Sequence, residues 1–115
     1  MPLLRLEVGT PVPAAKKEAL IKAASKVVAD CTGKPESYVM VTLTECAGSL
    51  AGQVGPMAFA DVRGIGGLDK KTNGNLAKAL GDLLKKELNI APDRIYLNFT
   101  DVAASNWGFK GSTFG

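Results

Sequence analysis

No histidine occurs among the 115 residues. That removes the commonest general base and metal ligand. It also removes every Ser/His/Asp or Cys/His arrangement for nucleophilic catalysis. Cysteine is nearly as scarce: Cys31 and Cys46 are the only two, and they show no CxxC or zinc-type spacing. The expectation is two buried free thiols in a reducing compartment. No apolar stretch approaches the ~18 residues of a membrane span. No charged segment followed by a long apolar run opens the chain, so no cleavable signal peptide is expected and the chain reads as cytoplasmic. No run of Lys/Arg exists either. The net charge is +3, and pairs such as Lys16-Lys17, Lys70-Lys71 and Lys85-Lys86 are dispersed. Dispersed basic residues without a binding motif argue against nucleic acid as a partner.

What remains is the composition of one folded domain, with 46% hydrophobic and 22% charged residues. The segment LLRLEV (3–8) reads as a strand. A helix is predicted over 13–33, because Leu20, Ala24, Val27, Val28 and Cys31 share one face of a 3.6-residue period. Pro13 suits its first turn and Gly33 its stop. SYVMVTLTE (37–45) reads as a strand with Val39, Val41 and Leu43 on one face, and 47–56 as a loop of glycine and small residues. The order then returns: a strand over 57–64, a helix over 73–89 with Leu76, Leu80, Leu83, Leu84 and Leu88 on one stripe, and a strand over 94–101.

The second half follows the first at a constant offset of 56 residues. Leu3 falls on Phe59, Leu20 on Leu76, Lys22 on Lys78, Val39 on Ile95 and Thr44 on Thr100. Two βαβ units result, each joining parallel strands by a right-handed crossover. The expected fold class is α+β, a two-layer sandwich: one four-stranded mixed sheet with both helices on one face. Residues 1–115 form a single domain with an internal repeat over 1–56 and 57–101. The tail, 105–115, has a strand-turn-strand pattern around Lys110-Gly111. Met40 and Tyr96 alternate with the helix-facing residues, so the other sheet face carries apolar groups that subunit association would cover.

The remaining candidate for chemistry is Pro2. A strand start tolerates proline, which has no N–H to spare. Trimming of Met1 would instead make its nitrogen a free secondary amine. An ordinary α-amino group titrates near about 7.7–8.0. A secondary amine is more basic, and burial and nearby cations lower that value toward the range useful in proton abstraction beside a carbonyl. GIGG (64–67) lacks the spacing of a dinucleotide site. It is either a tight strand-to-helix turn or a backbone-lined pocket edge suited to an anion.

MPLLRLEV, TGKPESYVMV (32–41), PDRIYLNFTD (92–101) and NWGFKGSTF (106–114) together resemble the macrophage migration inhibitory factor family of the tautomerase superfamily, over the whole chain. The resemblance implies a duplicated βαβ fold assembled as a homotrimer, with no cofactor and no metal. It implies a keto–enol tautomerase acting on phenylpyruvate-like α-keto acids. By that resemblance Pro2 is the catalytic base and Lys34 holds the substrate carboxylate, helped by the backbone N–H of Ile65. Tyr96 and Asn98 are pocket residues supplied by the adjacent subunit. Tyr38, Trp107 and Phe114 match the pocket rim, although Trp107 and Phe109 equally suit packing of the tail. Vertebrate members carry a CxxC pair where this chain has Met57-Ala58-Phe59-Ala60, so their proposed thiol oxidoreductase activity is not expected. Gly64 stands where the family often has serine. The alternative reading is a signalling or binding protein with a vestigial pocket. Other superfamily reactions need a further charged group, and Arg5 and Arg63 match no such role.

Overall fold

The computed structural model describes residues 1–115. In chain order the elements are β1 (Leu3–Val8), α1 (Ala14–Thr32), β2 (Met40–Glu45), β3 (Ser49–Leu50), β4 (Gln53–Val54), β5 (Ala58–Gly64), α2 (Lys70–Leu88), β6 (Ile95–Asp101), β7 (Gly108–Phe109) and β8 (Ser112–Thr113). The four long strands form one mixed sheet in the order β2-β1-β5-β6. The outer pairs, β1 with β2 and β5 with β6, are parallel, and β1 meets β5 antiparallel at the centre. This is the two-layer α+β arrangement expected from the sequence.

Alternation makes the strands. In β1, Leu4, Leu6 and Val8 point to the helices and are buried, while Arg5 points away and is exposed. The helix faces close over them. Leu20, Ala24 and Val28 of α1 and Leu76, Leu80 and Leu84 of α2 are buried against the sheet in two adjoining apolar clusters. Truncating one fully enclosed leucine, such as Leu80→Ala, costs about 3 kcal/mol through lost transfer energy and the cavity left behind.

α1 ends where Gly33 enters the left-handed region at φ 70° and its N–H reaches Ala29 O. α2 begins three residues before the start predicted from periodicity. Asp69 caps it, its Oδ1 accepting the Thr72 N–H at 2.8 Å, which satisfies a free helix-end donor without any apolar residue to mark the first turn. Asn89, at φ 54°, stops it. The two helices span Ala14–Thr32 and Lys70–Leu88, offset by 56 residues. The same offset relates the 3-10 turns Glu36–Tyr38 and Pro92–Arg94. The pseudo-twofold axis relating the halves passes between Arg5 and Asp61, which sit opposite each other in β1 and β5.

Three expectations need correction. Residues 37–39 do not open β2, which starts at Met40: Glu36–Tyr38 form a 3-10 turn, opened by Pro35 in extended conformation and closed by the Tyr38 and Val39 N–H bonds. The loop 47–56 contains the β3–β4 hairpin, turning through Ala51 and Gly52 at φ 54° and 74°. Arg94 pins it by donating to the carbonyls of Pro56, Leu50 and Gln53. Cys31 and Cys46 are half-buried rather than buried. Burial, and then Asp30, pushes the Cys31 thiol above its ordinary value, toward the unreactive protonated form. No helix is long and apolar enough to cross a membrane.

The sheet face away from the helices is uncovered within one chain: Met40 is 61% and Tyr96 67% exposed. Its centre is charged. Asp61 is almost enclosed, its side chain 9% exposed, between Arg63 at 3.3 Å and Arg5 at 3.4 Å. Thr42, Arg5, Asp61 and Asn98 stand side by side across all four strands.

Candidate active site

Pro2 sits just ahead of β1, with its side chain fully buried. Its carbonyl accepts the Met40 N–H at 3.0 Å, which ties the N-terminus to the start of β2. Two adjoining cavities open at this corner. One, about 410 Å³, is lined by Met1, Pro2, Tyr38, Met40, Trp107, Phe109 and Phe114 among others. The second, about 320 Å³, is lined by Met1, Lys34, Pro35, Tyr38, Ile65, Ala104 and Phe114. Met1, Tyr38 and Phe114 belong to both, so they form the shared wall.

The apolar side is an aromatic cluster. Phe109 and Phe114 stack with centroids 5.5 Å apart and planes 10° from parallel. Tyr38 meets Phe109 at 6.2 Å and Phe114 at 6.5 Å, edge-on to each. Such offset and edge-to-face pairs are mutually favourable and rigid. The β7–β8 hairpin delivers two of these rings, and its turn through Lys110 and Gly111, both in the left-handed region, suits the twist of the flanking strands.

The polar side is built by the loop after β5. Lys34 Nζ donates to Ile65 O at 2.9 Å. Gly64 O accepts from Val102 N–H at 2.8 Å, and Gly66 N–H donates to Asp101 Oδ1 at 2.7 Å. The Ile65 N–H makes no hydrogen bond within the chain. Gly66 and Gly67 hold φ of 72° and 81°, which only glycine adopts without strain. The loop is therefore both a tight turn and a pocket edge. The N-terminus of α2 is closed by Asp69 and takes no part in it.

The α-amino group of Met1 is held below its ordinary value of 8.0, first by burial and then by the Lys34 charge. Both effects disfavour a second cation at this corner.

Of the residues singled out from the sequence, Pro2, Lys34, Ile65, Tyr38, Trp107 and Phe114 line this pair of cavities. Tyr96 and Asn98 do not. They project from β6 on the open sheet face, with β5 between them and β1. Phe109 belongs to the wall and had no place in the sequence-derived site; it lines the first cavity and stacks on Phe114, and no local pattern signals that. Arg5 and Arg63 are engaged with Asp61 on the sheet face. A larger, open concavity of about 630 Å³ runs past Gly9, Glu45, Cys46 and Pro56. Its one carboxylate, Glu45, is already taken by Val12 N–H and Lys17.

Comparison with known proteins points one way. The family model for macrophage migration inhibitory factor matches residues 1–115. The chain is 41% identical over 98 residues to the macrophage migration inhibitory factor homolog of Brugia malayi, covering 84% of this chain and 85% of the homolog. The solved macrophage migration inhibitory factor of Toxoplasma gondii superposes with a TM-score of 0.94 at 35% identity, over 97% of this chain and 99% of that one. Pt0534, crystallised after inactivation by 2-oxo-3-pentynoate, shares the fold at a TM-score of 0.85 and 24% identity, over 96% of this chain and 93% of its own.

Proposed function

Since the chain belongs to the macrophage migration inhibitory factor family, we propose that it is a cofactor-independent keto–enol tautomerase of phenylpyruvate-like α-keto acids, working as a homotrimer. The observation that carries this reading is the convergence of Pro2, Lys34, Ile65 and an aromatic wall on two cavities sharing Met1, Tyr38 and Phe114. A buried N-terminal base beside a cation and a free N–H, facing a flat aromatic surface, suits an aryl α-keto acid.

In this reading Met1 is removed and the Pro2 nitrogen becomes a secondary amine. The burial and the Lys34 charge that depress the Met1 amine then act on Pro2, leaving a neutral base near physiological pH. Pro2 takes the proton from the enol oxygen. The oxygen–carbon double bond forms as the enol carbon–carbon double bond closes on a proton returned by Pro2. One proton moves from oxygen to carbon, with no change in oxidation state. Lys34 carries three donors. One is spent on Ile65 O, leaving two for the substrate carboxylate beside the Ile65 N–H. Tyr96 and Asn98 reach the pocket from a neighbouring copy, and the same association covers the open face. Inactivation of Pt0534 by an α-keto acid supports the substrate class.

The test is ultraviolet-monitored enol–keto conversion of phenylpyruvate by protein whose Met1 removal is verified by mass spectrometry, beside Pro2→Gly. Activity lost in the variant supports the reading. A processed, trimeric wild type without turnover, but with a specific protein partner unaffected by Pro2→Gly, would favour a signalling role instead. Sedimentation should give a trimer, and a verified monomer should be inactive because each site is shared.

A further inference from the structure

The Ile65–Gly66 peptide is gripped at both ends by opposite charges. Its N–H donates to Asp101 Oδ1 at 2.7 Å, and its C=O accepts from Lys34 Nζ at 2.9 Å. In a trans peptide these two groups point in opposite directions. The carboxylate and the ammonium therefore face each other through one planar unit and do not touch. The peptide before it is anchored too, with Gly64 O held by Val102 N–H. Gly66 and Gly67 both hold the left-handed region, a conformation that glycine adopts readily but does not itself enforce. Lys34 also lies along Gly67, its Cε 3.5 Å from where a Cβ would stand.

From this geometry we infer that Asp101 is a positioning residue, which aims the Lys34 ammonium, beside the Ile65 N–H, at a ligand carboxylate by fixing and polarising the Ile65–Gly66 peptide. The inference deepens the tautomerase reading and rests on it for the ligand class alone. A carboxylate on the N–H side makes the carbonyl oxygen a better acceptor, and hydrogen bonds in a chain strengthen one another. Without it the Ile65–Gly66 peptide can rotate, because Gly66 and Gly67 that follow it impose no conformation of their own. Lys34 then loses the fixed acceptor that aims its other two donors. Asp101 sits at the end of β6, where the ladder delivers it opposite Gly64. Position along a strand thus sets the pocket loop without any contact between Asp101 and the ligand.

The test uses Asp101→Ala and Asp101→Asn in the full chain, read by NMR of the Gly66 amide and the Lys34 ammonium. It also compares binding of 3-phenylpropanoate with that of its neutral amide, 3-phenylpropanamide. In Asp101→Ala both resonances should move, and the preference for acid over amide should fall about tenfold, the scale of one charge-assisted hydrogen bond. With phenylpyruvate, KM should rise by a similar factor while kcat stays within about threefold. Asp101→Asn keeps an acceptor for Gly66 and should restore most of the preference. A folded Asp101→Ala with wild-type Lys34 resonance and wild-type acid preference overturns the inference. If the alanine variant does not fold, the asparagine variant decides: a displaced Gly66 amide with an unmoved Lys34 ammonium also overturns it. Absence of phenylpyruvate turnover, with the Asp101–Lys34 coupling intact, would count against the tautomerase reading alone.

Discussion

The carbonyl of Pro2 accepts a hydrogen bond from the Met40 N–H, so residue 2 is fixed by its carbonyl side while its ring is enclosed by the pocket corner. A substitution that keeps the carbonyl keeps this tie. Pro2→Gly should therefore fold, with an unchanged circular dichroism spectrum, and lose about 10²–10⁴-fold in kcat/KM as the secondary amine is replaced by a weaker, mobile primary one. Full activity in a correctly processed Pro2→Gly protein would remove Pro2 from the chemistry.

Phe109 should set the preference for aryl substrates. Its ring stacks on Phe114 and meets the edge of Tyr38. Phe109→Ala should raise KM for phenylpyruvate about three- to tenfold, the worth of one aromatic pair, and leave kcat little changed. Pyruvate, which has no ring, should show no such change. Equal effects on both substrates would assign Phe109 to folding of the tail.

Asp61 stabilises two guanidinium groups from a nearly enclosed position. Asp61→Ala leaves Arg63 without its partner and Arg5 with only the longer contact to Glu7 at 3.9 Å. Both arginines are half-exposed and water screens them, so the loss should be about 2 kcal/mol rather than the larger cost of a fully buried pair. Urea unfolding at fixed protein concentration measures it. A variant as stable as wild type would mean that the sheet centre tolerates unpaired charge.

Asp69 gives the fold a pH-dependent element. The Thr72 backbone N–H, first among its causes, holds the carboxyl below its ordinary 3.8. A depressed carboxylate contributes stability above the unfolded value and loses it as pH falls through the folded one. Asp69→Ala should lower the melting temperature at pH 7. The gap to wild type should close progressively as the pH falls below that ordinary value. A gap that persists at pH 2 would assign the effect to something other than the ionised cap.

Legibility of the sequence followed the range of the interactions. Strands and helices with apolar periods could be read directly, because the residues that make them are near neighbours. Lys110-Gly111 announced its turn, since glycine is a usual signal for a left-handed backbone. The β3–β4 hairpin did not, because Ala51 occupies a left-handed position that alanine seldom takes, and two-residue strands leave no period to count. The start of α2 was hidden because a cap, not a leucine, defines it. Within the pocket, Pro2 was legible through its position and Lys34 through a motif. Asp101 and Phe109 were not, since their places beside Gly66 and against Phe114 arise from contacts that only the folded chain creates.

The pair on the pseudo-twofold axis carries a further consequence. Arg5 and Asp61 occupy the same place in the two halves of the chain. Were the halves separate, identical polypeptides, rotation would set arginine against arginine there, or aspartate against aspartate, and the centre of the sheet would repel itself. Covalent joining breaks that constraint. Each half drifts in sequence while its shape is kept, and the axis accepts two unlike residues that attract. The molecule is thus symmetric in its backbone and polar at its midpoint, a combination that a true dimer of either half cannot reach.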